Sequence, residues 1–536
     1  MTAMPSGGLK TEEGTPAAEP KGRLGRAVSR VVSDGSLTKK ASLNAAASTA
    51  EQIARIAAGL IISPILLTRL GETAFGIWQV LQRLIGHASP ASGRPGEALK
   101  WTIAHEQRST DYDFKRRQVG NALAVWLLFL PLLVAIGGIL AWLAPIWLDV
   151  PLTSYGTVRV AGGILVIDAI LFSLLYLPQS VLQGENLGYK RLGLSVLLVF
   201  VSKTLLVVAI FLGTGIGGLA VATAIATVLW GVTYVFIVRS RVEWFGIARP
   251  SLAEVGRFVR LSWWFLLWNL IMTIMLASDV VVLGVVKSPA LVTTYTLAKY
   301  IPQAITVAVA TVIVAIMPGL GGLIGAGELV RAVRIRKETM SLIWLFTIVA
   351  GTTVLIWEES FLRLWVKGYY PGPTAILMIM LMVLQFALIR TDANIIDLTL
   401  NLRRKVLLGA LSAVLSVGLA WLFLGPMDMG IIGLVLGFIV GRTIQSISYP
   451  WMIGRLLGIS IERQLRGIVR PALATGMLFA GASVLGSAAH VGSWVALVLV
   501  VGVSAGVVAA LAFFAGLPAG TRQLLWQRLR KVARLT

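Results

Sequence analysis

The 536-residue sequence predicts an all-α polytopic membrane protein with about 14 transmembrane helices and both termini on the cytoplasmic side. Two observations carry this. Apolar stretches able to supply the roughly 20 residues that a helix needs to cross a hydrocarbon core recur along the whole chain. The positive charges, moreover, alternate. Of 47 Lys and Arg, 34 stand at the two ends and in or beside every second connection, whereas Arg69, Arg159, Lys287, Arg363 and Lys367 are alone in the others. Cytoplasmic loops collect Lys and Arg, so both ends are cytoplasmic and the number of crossings is even.

The spans run at 43–69, 74–104, 119–147, 158–185, 189–213, 216–239, 257–285, 290–322, 335–366, 373–401, 404–424, 428–456, 468–488 and 492–517. Runs such as Val125 to Trp142 and Val495 to Ala515 are apolar on every face, which suits lipid-embedded helices and not the alternating strands of a barrel. Ahead of them, residues 1–42 lack an apolar signal-peptide core and read as a disordered basic cytoplasmic tail. Residues 520–536 form a second basic tail, whose Trp526-Gln-Arg-Leu-Arg-Lys-Val run suits the inner membrane surface. The second span is interrupted by Gly86-His-Ala-Ser-Pro-Ala-Ser-Gly-Arg-Pro-Gly. Either it is a broken helix lining a wet cavity, or residues 86–96 form a cytoplasmic loop after a short tilted helix.

Composition excludes several classes. The net charge of +23 is spread over short loops, where topogenesis and anionic lipid explain it, so no nucleic-acid partner is expected. With no Cys, and with His87, His105 and His490 scattered, neither a metal nor a catalytic thiol is predicted. No Gly-rich phosphate loop is present, so ATP hydrolysis is not expected either, and no cofactor is implied.

Ionisable groups at membrane depth are costly and mark pathways or pairs. Arg55, Arg83, Asp168, Lys203, Lys299 and Arg442 all stand near the middle of their spans. Asp168 and Lys203, at matching depth in successive spans, are expected to form a structural ion pair. Glu51 and Arg55 are spaced i, i+4 with the acid first, which favours an intrahelical pair; Ser48, Gln52, Arg55 and Gly59 also form one polar or small stripe. Arg83, Lys299 and Arg442 have no acid close in sequence. Arg390, Asn394, Asp397 and Asn401 form a polar stripe ending the tenth span, read as a cytoplasmic gate or an inter-helix network. Glu358 and Glu359 are expected on a solvated outer face.

The stretch Leu67-Thr-Arg-Leu-Gly-Glu-Thr-Ala-Phe-Gly-Ile-Trp-Gln-Val-Leu between the first two spans resembles the signature of Wzx-type polysaccharide-lipid flippases, in the multidrug/oligosaccharidyl-lipid/polysaccharide (MOP) exporter superfamily. The segment from Ala277-Ser-Asp to Leu-Ala-Lys299 resembles that family's seventh helix and its turn into the eighth, and Val181-Leu-Gln-Gly-Glu-Asn-Leu-Gly-Tyr is similar as well. The first two segments also resemble each other. The resemblance implies two pseudo-symmetric six-helix halves, at 43–240 and 257–456, joined by a cytoplasmic linker at 241–256 and followed by two additional helices within 457–519. Repeat-built transporters hold substrate between their halves, here between spans 1, 2, 7 and 8.

The implied function is a flippase for undecaprenyl-diphosphate-linked oligosaccharide in a bacterial inner membrane, working by alternating access and without enzymatic chemistry. Arg55, Arg83 and Lys299, with Arg442 as a fourth, would bind the phosphates, because cations at mid-depth suit an anionic head group. Asp279 occupies an acid position of the family's seventh helix and, like Glu51, could bind a coupling ion or simply neutralise a cavity cation. Membrane lipids and the polysaccharide polymerase or export machinery are the implied partners, and a monomer suffices. A peptidoglycan lipid-precursor flippase, an ion-coupled multidrug exporter and a membrane glycan polymerase remain as alternatives.

Overall fold

In a computed structural model, residues 37–106, 109–187, 192–325, 327–398 and 402–523 are described. Most of both predicted tails, including the Trp526 run, and Asn401 of the polar stripe lie outside the described residues. Among the described residues the chain is a bundle of long helices, twelve of which are each apolar and long enough to cross a membrane, with a bent pair making a thirteenth.

Seven helices form the first half: α1 (Leu37–Leu70), α2 (Glu72–Gly86), α3 (Pro95–His105), α4 (Tyr112–Trp147), α5 (Tyr155–Gly184), α6 (Leu192–Phe211) and α7 (Gly215–Arg241). Seven more form the second: α8 (Leu252–Val286), α9 (Pro289–Ala298), α10 (Tyr300–Gly325), α11 (Leu329–Val366), α12 (Pro373–Asp397), α13 (Leu402–Leu424) and α14 (Gly430–Leu457). The packing repeats at that interval. In the first half α1 packs on α6, α3 and α4 on α5, and α5 and α6 on α7; in the second α8 packs on α13, α10 and α11 on α12, and α12 and α13 on α14. Two further helices, α15 (Ile461–Ala488) and α16 (Trp494–Leu511), pack on the outside of α11.

Each half has a helix break after its first long helix. In the first, a 3-10 turn at Ser89–Ser92 separates α2 from α3, with Gly93 and Arg94 in the left-handed region before Pro95 restarts the helix. His87 lies 3.0 Å from Ser278, and Arg94 donates to Asn269, so the break lies beside the apolar Leu266–Val286 stretch of α8. Near its start α2 lies against the α8–α9 turn, where a Cβ on Gly76 would strike the Pro289 carbonyl. At the far end Ile103 of α3 packs on Gly184, which ends α5. The segment therefore packs along α8 from the α8–α9 turn to the end of α5, with the break at residues 89–94 between its two helices. In the second half α9 and α10 meet at a bend of 53°, with Lys299 as the residue between them.

The two halves are tied across the cavity side by backbone groups of α1. Pro64 has no N–H, so the carbonyl of Leu60 loses its helical partner. Trp365 of α11 supplies one: its Nε1 donates to Leu60 O at 2.6 Å. Beside it Tyr300 donates to Ile56 O at 2.7 Å, and the two aromatic rings lie 5.0 Å apart. On the charge-rich face, the linker opens α8 with a capping box at Ser251 and Glu254. The Ser251 backbone N–H, followed by weaker help from Arg117 of α4, holds the Glu254 carboxyl below the usual carboxylate range. On the other face Lys287 donates to Asp428 and holds that carboxyl low as well.

Trp365→Phe removes the donor but keeps the ring, and is expected to destabilise the protein by about 1–2 kcal/mol, the cost of an unsatisfied buried carbonyl. In a Pro64→Ala background, where Leu60 regains an N–H partner, the same change is expected to cost less. Thermal unfolding of the four detergent-solubilised proteins, followed by size-exclusion chromatography, measures the difference.

Candidate functional site

Between α1, α2, α8 and the α9–α10 bend lies a cavity of ≈ 240 Å³. Arg55 from α1, Arg83 from α2, Asp279 from α8 and Lys299 from the bend all line it. Three cations and one acid that the sequence separates by up to 244 positions thus share one wall system, between the four spans expected to hold substrate.

Local structure explains each position. Arg55 donates to Glu51 at 2.7 Å one turn back on α1, so the expected intrahelical pair forms, and its guanidinium lies 5.4 Å from the Trp230 ring centroid on α7. Lys299 sits where α9 stops, and its ammonium donates to Asp279. Asp279 is buried and fully engaged: Oδ2 also accepts from Tyr295 at 2.6 Å, and Oδ1 accepts from the Val280 N–H at 2.9 Å. Arg83 has neither an ion pair nor a side-chain hydrogen bond among the described residues, although it faces the same cavity. One acid already committed to Lys299 therefore stands against several cations. The arrangement suits an anion and leaves no carboxylate free for a cationic guest.

Arg442, the fourth expected cation, is set back from this wall. It is buried on α14, donates to the Met275 carbonyl of α8, and lies between the Phe386 and Phe438 rings at 5.5 and 5.3 Å. The expected Asp168–Lys203 ion pair is absent. Helices α5 and α6, successive in sequence, are both packed on α7; Asp168 faces Thr227 of α7, and Lys203 feels the like charge of Arg55. Matching depth did not make them neighbours, because α7 comes between.

The polar stripe on α12 opens into a second cavity, of ≈ 70 Å³, shared with Trp268, Lys405 and Tyr449. Asp397 pairs with Lys405, which lies 3.7 Å from the Trp268 ring centroid, and Asn394 donates to Arg390 O at 2.7 Å. Asp392 points elsewhere: Arg336 of α11 grips it with two 2.7 Å bonds. Glu358, expected to be solvated, is only 2% exposed, because α15 and α16 cover that side of α11. Sequence reading passed over Gln79 and Gln303 in the cavity wall, although each stands one turn from a cation already singled out. It also passed over Tyr300 and Trp365, whose spacing carries no distinguishing signal.

No protein-family model matches the chain, and no curated protein matches it. Solved structures do. An inward-facing multidrug resistance MATE family transporter of the MOP superfamily superposes with a TM-score of 0.61 at 15% identity, over 76% of this chain and 95% of that one. The lipid II flippase MurJ, in an inward closed conformation, gives 0.64 at 11% identity over 88% and 98%. A Vibrio cholerae MATE transporter gives 0.57 at 16% over 81% and 99%. The chain thus has the fold of MOP-superfamily transporters.

Replacing Asp168 by Asn keeps a partner for Thr227 and breaks no ion pair, so stability is expected to change by no more than ~0.5 kcal/mol. Asp392→Asn strands the buried Arg336 guanidinium and is expected to cost ~3 kcal/mol. Parallel unfolding of the two variants checks both; a large loss in the first would restore the Lys203 pair.

Proposed function

We propose that this chain is a flippase that carries an undecaprenyl-diphosphate-linked oligosaccharide from the cytoplasmic to the outer leaflet of a bacterial inner membrane, by alternating access of its two halves. The observation that carries this reading is the cavity between the halves, which Arg55, Arg83 and Lys299 all line. A diphosphate is far too costly to bring into hydrocarbon uncompensated. Guanidinium groups meet its oxygens bidentately and an ammonium adds a compact charge, so these three side chains replace the water that the head group leaves behind. Arg83 is the primary phosphate ligand in this scheme because nothing within the protein has to be displaced to use it.

Lys299 has a partner to leave. When phosphate draws its ammonium away, Asp279 keeps Tyr295 and the Val280 N–H but loses its counter-charge. A proton or a small cation can then take that place, which would couple the head group to an ion at one carboxylate. Glu51 does the same for Arg55 nearer the charge-rich face. With Lys and Arg marking the cytoplasmic side, the cavity loads from within, and the polar stripe of Arg390, Asn394 and Asp397 lies toward that side as a gate between α12 and α13. Polysaccharide polymerase or export proteins are the natural recipients of the product, and one copy of the chain contains both halves.

A second reading, a flippase for a cell-wall lipid precursor, is favoured by one observation: the likeness to the lipid II flippase MurJ spans 88% of this chain, against 76% for the inward-facing MATE transporter. A multidrug exporter of cations fits less well, since Asp279 is already engaged.

Bacterial cells lacking the protein are expected to lose exported polysaccharide and to accumulate its lipid-linked intermediate. Arg83→Ala, expressed at matched membrane level, is expected to restore no more than about a tenth of export, a loss that charge-assisted bonds of ~1.5–3 kcal/mol produce. Accumulation of cell-wall precursor instead would select the second reading; unchanged lipid pools with altered drug resistance would favour the exporter.

A further inference from the structure

Each cation of the cavity has a glutamine one helical turn away on the same wall. Gln52 precedes Arg55 by three residues on α1, Gln79 precedes Arg83 by four on α2, and Gln303 follows Lys299 by four on α10. All six side chains line the one cavity, and none of the three amides has a hydrogen-bond partner among the described residues. Their placement follows from helix direction. Helix α1 runs inward from the charge-rich face, whereas α2 and α10 run toward it. Gln52 and Gln303 therefore lie on the charge-rich side of their cations, and Gln79 on the opposite side. The amides bracket the cationic belt.

Their chemistry differs from that of the belt. Guanidinium and ammonium groups only donate, and phosphate oxygens only accept, so the cations suffice for a diphosphate. A carboxamide both donates and accepts, and its carbonyl oxygen has nothing to offer a phosphate. A sugar hydroxyl also does both. We propose that Gln52, Gln79 and Gln303 read the sugar joined to the diphosphate, so that the protein distinguishes a glycosylated lipid diphosphate from the bare one. The inference rests on the flippase reading and adds to it a basis for selection: the belt recognises the charge, the amides recognise that a pyranose is attached.

The test uses the purified full-length protein in lipid nanodiscs and three probes: undecaprenyl diphosphate, and the same lipid carrying a single N-acetylglucosamine or a single galactose. The wild type is expected to bind at least one glycosylated probe about tenfold more tightly than the bare lipid, the gain from two or three hydrogen bonds. Gln79→Leu and Gln303→Leu are expected to lose that preference while binding the bare lipid within about twofold of wild type, which also shows that they are folded. Arg83→Ala is expected to weaken all three probes together. Equal binding of all probes by the wild type, or a preference that survives in both glutamine variants, overturns the sugar-reading role and leaves the flippase reading standing. Failure of the wild type to bind any probe overturns both.

Discussion

Within a hydrocarbon core no water is present to satisfy a polar group, and the organisation of this protein follows from that constraint. The Leu60 carbonyl, orphaned by Pro64, is satisfied by Trp365 from the other half. Asp279 is satisfied three times, by Tyr295, Lys299 and its neighbouring backbone. Arg336 and Asp392 satisfy each other. Where partners run out, the protein keeps a cavity instead, and Arg83 and the three glutamine amides line it without partners among the described residues. Unpaired polar groups and the cavity are two sides of one arrangement, because only solvent or a polar guest can complete them.

The broken helices make that arrangement possible. A continuous helix through the position of Lys299 would carry its side chain on along the axis of α9; the 53° bend holds it between α8 and the cavity. The corresponding break between α2 and α3 comes just after Arg83. The helix before one break and the bend at the other thus bring one cation apiece to a shared space, and α1 adds a third. The tie from α11 and α10 to the α1 backbone closes the same space along one side.

Much of this was legible in the sequence, for a physical reason. Membrane depth is one-dimensional: the alternation of apolar runs and basic loops assigns each residue a position along the bilayer normal, and Arg55, Arg83 and Lys299, which that ruler sets at one depth, line one cavity together with Asp279, which the family resemblance singled out. The internal similarity then located the four helices around the cavity. Lateral neighbours are a different matter, since depth does not say which helices touch. Asp168 and Lys203 share a depth and are separated by α7, and Arg442 shares it while packing behind the cavity between two phenylalanines. Glu358 was mistaken for a surface group because the cover provided by α15 and α16 depends on how the last helices fold back. The Trp365 bond was foreshadowed only by Pro64, which announces an orphaned carbonyl without naming its partner.

The central claim is that the three cations carry an anionic lipid head group through the membrane. Its most direct measurement is leaflet transfer of undecaprenyl-diphosphate-linked oligosaccharide in proteoliposomes, read as the fraction of glycan that becomes accessible to an enzyme confined to one side. The account predicts transfer above that of protein-free vesicles, abolished when Arg55, Arg83 and Lys299 are replaced together in a protein that still folds. Transfer that persists without the three cations, or a wild type that moves cationic dyes and not the lipid-linked glycan, would contradict it.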